Sequence, residues 1–348
     1  MIEQFLLNYM SSYQVQILSF IGIFTILAIS LDIINGYTGQ FSLGHAGFMA
    51  VGGYVAAYLT FYHQMNFFLA TLIGATVAAV FGLIIGIPTL RLRGDYLAIA
   101  TLGFAEIIRV ILLNLDIVGG ARGFAGIANL SNFDTVLLFT FISFLLLFNF
   151  TRSAYGRALL AIREDEIAAE CMGVPTTYFK VLAFVVASFF AGIAGSLYGH
   201  YLMFLHPNDF GLLRSIEILL MIVLGGMGNL WGAFLGAIVL SILPESLRNY
   251  SGVVWTMAVI YLVGVAISYQ KGKYNIMKWL FGIAAAAVAV VFLLYFGKEL
   301  IIKYAGQMRM IIYSILLILM MLFQSSGLFG LAQDLFKPLI NRIRGAKA

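Results

Sequence analysis

The chain has 348 residues, of which 62% are hydrophobic and only 10% charged. A soluble domain carries about 25% charged residues, so this composition leaves too little polar surface for water and requires lipid as the main solvent. The formal charge of +5 has no basic tract behind it; scattered Lys and Arg fit retention on cytoplasmic loops rather than nucleic-acid binding. One cysteine, Cys171, excludes an internal disulfide and an all-cysteine metal site.

A membrane helix needs about 20 mostly apolar residues. Such runs lie near 14–34, 41–62, 67–87, 96–114, 134–150 and 181–204. Further runs cover 212–224, 231–247, 252–269, 276–297 and 309–325. The opening stretch MIEQFLLNYM lacks the basic residues of a cleaved leader. The pattern predicts an all-α polytopic membrane protein, one transmembrane domain over residues 1–348 with about 9–11 spans. Thr151 to Lys180 is the longest polar interruption and is expected in water on the cytoplasmic side. The same orientation puts Arg91, Arg93, Lys271, Lys273, Lys278 and the C-terminal tail inside as well. Gly82/Gly86, Gly195/Gly199 and Gly232/Gly236 are spaced four apart, as close helix packing requires.

Four segments carry the functional signal. NGYTGQFSLGHAGFMAVGGY (35–54) holds six glycines together with Gln40, Ser42 and His45. Each glycine weakens a helix by about 1 kcal/mol relative to alanine, and irregular backbone at membrane depth survives only when buried in protein or lining a cavity. A translocation pathway is the functional reading; for His45 alone, a hydrogen bond to a neighbour is the plainer one. LGGMGNLWGAFLG (224–236), with Gly225, Gly226, Gly228 and Asn229, follows an apolar run too short to span. Two glycine-interrupted, half-helix or re-entrant segments, one in each half, are the expected sign of an inverted repeat.

In YLAIATLGFAEIIRV (96–110), Thr101, Glu106 and Arg109 lie within an apolar span, with Glu217 in a later one. Intramembrane ionisable groups are pathway candidates; a structural ion pair between Glu106 and Arg109 is the alternative. GRALLAIREDEIAAECMGV (156–174) has Ala158, Leu159, Ile162 and Ile167 at helical spacing, interrupted by charges. It predicts a short helix outside the bilayer whose small residues Ala168, Ala169 and Gly173 form a docking face.

On GQFSLGHAGF (39–48), DYLAIATLGFAEIIR (95–109), GRALLAIREDEIAAECMGV (156–174) and LGGMGNLWGAFLGA (224–237), the chain resembles the permease subunits of branched-chain amino acid ABC importers, the LivH/LivM type, and the M-type more closely. The resemblance implies a second, LivH-like permease subunit, two cytoplasmic ATP-binding subunits and an extracytoplasmic substrate-binding protein. It places the cytoplasmic coupling helix in 151–180, on Arg157, Arg163, Glu164, Asp165, Glu166, Ala168, Ala169 and Gly173. It also implies a bacterial or archaeal plasma membrane, a cytoplasmic C-terminus and a small-molecule substrate.

No Walker A pattern occurs in the chain, so ATP hydrolysis belongs elsewhere and neither cofactor, metal nor catalytic residue is expected here. Residues 251–307, two apolar stretches around QKGKYNIMK, depart from the family pattern as an additional hairpin. The alternatives are an ion-coupled secondary transporter using Glu106 and Glu217, and a membrane enzyme, which the spacing of His45, His63, His200 and His206 does not support. Branched-chain amino acids, urea, amides and aromatic acids all stay open as substrates.

Overall fold

The computed structural model describes residues 11–89, 92 and 94–248, together with Glu3. Arg91, Arg93, the C-terminal basic residues and the 251–307 hairpin lie outside the described residues. The chain divides into two compact units, Met1–Ile238 and Val239–Ala348; of the second, the described residues include only the end of a helix at Arg248.

The main helices are α1 (Ser12–Asp32), α2 (His45–His63), α3 (Phe67–Thr89), α4 (Asp95–Leu113) and α5 (Phe133–Arg152). They are followed by α6 (Ala154–Glu164), α7 (Glu166–Cys171), α8 (Thr176–Leu202), α9 (Leu212–Gly225) and α10 (Leu230–Arg248). Among the described residues five helices are long and apolar enough to cross a bilayer: Ser12–Tyr37, Phe67–Pro88, Asp95–Leu113, Phe133–Arg152 and Thr176–Leu202. The chain is a multi-pass helical membrane protein. α2 begins only at His45, because residues 38–44 are irregular. With 14 residues, α9 is about 21 Å long and falls short of the hydrocarbon thickness.

The core is the block formed by α2, α3 and α8. Lipid gives no hydrophobic drive for helix association, so close backbone packing must supply it, and glycines line all three contacts. A Cβ on Gly53 would stand 2.8 Å from the Gly195 carbonyl oxygen, one on Gly74 2.6 Å from that of Gly52, and one on Gly192 2.8 Å from the Ala75 Cα. Gly195 itself lies against the Met49 carbonyl with no room for a side chain. Polar side chains cross-link the block. Thr71 and Ser196 hydroxyls are 2.7 Å apart, and His200 bridges the Thr60 hydroxyl (2.9 Å) and the Ser196 carbonyl (2.8 Å).

The other glycine pairs noted in the sequence also serve packing. Gly82 meets Ser188, Gly232 meets the Gly225 carbonyl, and Gly236 meets the Met221 carbonyl. The last two close α9 and α10 into a hairpin. At the end of the bundle opposite α6, a two-residue antiparallel pairing, Phe124 with Leu205 and Ala125 with Phe204, fastens the loops after α4 and α8.

The segment between α5 and α8 departs from expectation in two ways. It is not one helix: Asp165 adopts an extended conformation between α6 and α7, and its carboxylate accepts the Ile167 and Ala168 amides (2.9 and 3.0 Å) as the N-cap of α7. Nor is it wholly solvated, because Leu159, Ile162 and Ala169 are buried, as are Thr176 and Lys180 in the first turns of α8. The buried ammonium of Lys180 finds a carboxylate in Glu166, which lets α8 start several residues before the expected span.

Candidate functional site

Three of the four segments singled out in the sequence converge on one point. α1 does not end as a regular helix but widens into a π turn over Ile33–Tyr37, a feature that recurs at functional sites. Just before it stands Asp32, fully buried. Its Oδ1 accepts the Gly228 amide at 2.8 Å, which ties the first glycine-broken segment to the second.

Arg163, in the last turn of α6, reaches the same place. Its Nη1 donates to the Gly36 carbonyl at 2.7 Å. The second oxygen of the Asp32 carboxylate, Oδ2, has no hydrogen-bond partner among the described residues.

The glycines make the convergence possible. A Cβ on Gly36 would overlap the Asp32 carboxylate and the Gly228 nitrogen, and one on Gly228 would overlap Arg163 Nη1. Gly228 also has φ +82°, a conformation that side-chain-bearing residues enter at about 1–2 kcal/mol. Gly39 brings its backbone against the Arg163 stem, with a virtual Cβ 3.2 Å from Cγ. Thus Gly36, Gly39, Gly228, Arg163 and Asp32 form one node.

Sequence reading missed Asp32. The available signal was a single acid at the end of an apolar run, immediately ahead of the glycine-rich stretch.

The remaining residues of the first segment surround the start of α2. Gln40 is buried, with its amide donating to the Ile34 carbonyl at 3.1 Å. Ser42 is locked to Asn35 through its amide (3.1 Å) and its carbonyl (3.3 Å). Thr101 on α4 accepts the Leu43 amide at 3.0 Å, and its backbone packs against Gly44. His45 is fully buried, with Nε2 2.8 Å from the Ser30 hydroxyl on α1. That contact pins α2 to α1.

The charged pairs lie elsewhere. Arg109 chelates Glu106 on the same helix and donates to Asn208 at 2.6 Å, toward the end of the bundle opposite α6. The Glu106 side chain remains 47% exposed. Glu217 pairs with Arg214 at 3.0 Å, and that guanidinium also lies over Phe24. Both acids are therefore partnered by an arginine three residues away.

Beyond the bundle, α7 presents an apolar tip. Ile167 is 66% and Met172 84% exposed. Ala168 and Gly173 are exposed beside them, and nothing lies within 4 Å of the open side of Gly173. Ala169 does not belong to this surface, because it turns inward and is buried. Arg157 and Glu164 are exposed on α6, where Arg157 donates to the Arg152 carbonyl at 3.2 Å. Among the described residues no group of three or more metal-ligating side chains is found.

The family described as "Branched-chain amino acid transport system / permease component" matches residues 13–268. The high-affinity branched-chain amino acid transport system permease protein LivM of Salmonella typhimurium is 35% identical over 264 residues, 66% of this chain and 62% of its own. The probable branched-chain amino acid transport permease protein LivM of Methanocaldococcus jannaschii is 27% identical over 279 residues, 67% of this chain and 81% of its own. The LivH permease protein of Salmonella typhimurium is 32% identical over a shorter 128 residues, 36% of this chain and 41% of its own. The similarity is thus closer to LivM than to LivH, although the chain spans under two thirds of the length of the Salmonella LivM. No solved structure matches the chain significantly.

Proposed function

Because this chain belongs to the branched-chain amino acid permease component family, we propose that it is one of two membrane subunits of an ATP-driven importer. Together with a LivH-like partner it forms the passage for branched-chain amino acids. Two ATPase subunits dock on the exposed tip of α7, at Ile167, Ala168, Met172 and Gly173, and a substrate-binding protein delivers solute at the opposite end. The chain itself is not an enzyme. It resides in a prokaryotic plasma membrane with α6, α7 and the C-terminus in the cytoplasm.

The observation that carries this reading is that one helix pair outside the spans is bonded, through Arg163, to the first glycine-broken segment and packs on the second. A motor gripping α7 has a direct mechanical route to the irregular backbone at the end of α1. Gln40, Ser42, His45, Thr101, Gly225, Gly226, Gly228 and Asn229 border the passage at that irregular backbone. Glu106 and Arg109 face it from α4, because a half-exposed carboxylate within a span is costly against lipid and is tolerated beside a partner or water. Glu217 sits beside it on α9, held by Arg214.

The test is reconstitution of the chain with its second permease and both ATPases in liposomes. Addition of ATP and leucine-loaded binding protein should produce leucine accumulation above its external level. Uptake that survives without ATP and collapses with an ionophore would instead support ion-coupled transport. The arginine partners of Glu106 and Glu217 argue against that reading, since a carboxylate already paired with a guanidinium is a poor proton carrier.

A further inference from the structure

Taking the importer reading as given, we propose that Arg163 and Asp32 form a latch that keeps the two glycine-broken segments shut at the α6 end of the bundle and releases them when α6 moves. The latch joins three separate parts of the chain. Asp32 lies on α1, Arg163 lies 131 positions further on at the end of α6, and Gly228 lies in the turn between α9 and α10. Asp32 holds the Gly228 amide, Arg163 holds the Gly36 carbonyl, and the two bonds meet where the Gly36 and Gly228 backbones touch.

Burial gives the latch its coupling. A carboxylate removed from water is tolerated only with a compensating charge and hydrogen bonds. Asp32 is wholly buried, and its Oδ2 has no hydrogen bond of its own among the described residues, so its carboxyl relies on the Gly228 amide that Oδ1 holds. If α6 carried Arg163 away and the turn stayed closed, the Gly36 carbonyl would lose its donor beside a carboxyl group still shut from water. The favourable response is for water to reach Asp32, which means separation of the 36–40 and 226–229 segments. Displacement of α6 and opening of the turn are thereby made one event, without a covalent link between them. The glycines at 36, 39 and 228 let the parts close into direct contact over the buried Asp32.

The experiment uses the assembled complex in proteoliposomes. Exposed Cys171, the chain's one cysteine, is first replaced by Cys171→Ser. Gln40→Cys then serves as reporter, since Gln40 is buried in the same turn. A membrane-impermeant maleimide is applied from the α7 side. The parent should label slowly. Arg163→Ala and Asp32→Asn should each raise the labelling rate at least about tenfold, the factor that ~1.4 kcal/mol carries. Combining them should raise it no further than the larger single effect, because the two bonds hold one junction and losing either opens it. Leucine imported per ATP hydrolysed should fall with them while the ATPases still co-purify. Arg163→Lys, which keeps the charge, should label within about threefold of the parent, a range under ~0.7 kcal/mol.

Unchanged labelling in both single variants, or effects that multiply in the double variant, would overturn the latch. Should Arg163→Ala fail to accumulate, Arg163→Gln takes its place with the same expected rise. Failure of the importer reading is seen separately, as absence of co-purifying ATPase and of ATP-driven uptake, while the labelling result still decides the latch.

Discussion

A side chain of even one carbon is what positions 36 and 228 cannot carry. Gly36→Ala would force apart the Asp32 carboxylate and the Gly228 amide, and Gly228→Ala adds a left-handed backbone cost of about 1–2 kcal/mol. Both variants are expected to lower the melting temperature of the detergent-purified chain by several degrees. Gly103→Ala is the control. Nothing lies within 4 Å of its open side, and removing a glycine from a helix is worth up to about 1 kcal/mol, so its melting temperature should hold or rise. At this scale the sequence was only partly legible. The glycines, Gln40, Ser42 and Thr101 were visible as a pattern, and Glu106 with Arg109 as a spaced pair. Asp32 was not, because a lone acid at the end of an apolar run looks like any span terminus until Gly228, 196 residues away, is placed beside it. His45 shows the converse. It stood out in the sequence, yet its ring nitrogen bonds Ser30 and secures two helices.

The elements were more legible than their joints. Apolar runs marked α1, α3, α4, α5 and α8, since lipid dictates length and composition. The α6–α7 break was hidden because Asp165 belongs to a charged run that fits a solvated helix face equally well; only its role as N-cap reveals the break. That role predicts a local effect. Asp165→Ala should cost about 1 kcal/mol of α7 stability and speed hydrogen exchange at the Ile167 and Ala168 amides, which its carboxylate now holds, while the α8 amides stay protected. Equal acceleration in α8 would show that the two helices unfold together. The inward turn of Ala169 likewise escaped the sequence, because three small residues close together do not say which of them faces the bundle.

Across the whole molecule, the proposed role of a permease half predicts where assembly can be broken without harming the fold. Ala168→Trp and Met172→Asp both alter exposed positions. Each should leave the amount of chain in the membrane unchanged and reduce the recovery of co-purified ATPase at least about tenfold, the effect of ~1.4 kcal/mol at an interface. Gly173 is a poorer probe, since its φ of +84° makes any substitution strain the turn as well as the surface.

The block of α2, α3 and α8 sets what can move. At Gly52, Gly53, Gly74, Gly192 and Gly195 its helices meet backbone to backbone, so sliding one helix past another there would drive backbone into backbone. In the proposed importer it would serve as the stator, and alternation between outward and inward access would come from the parts packed on it: α1 pivoting at its widened last turn, and the α9–α10 hairpin swinging with it.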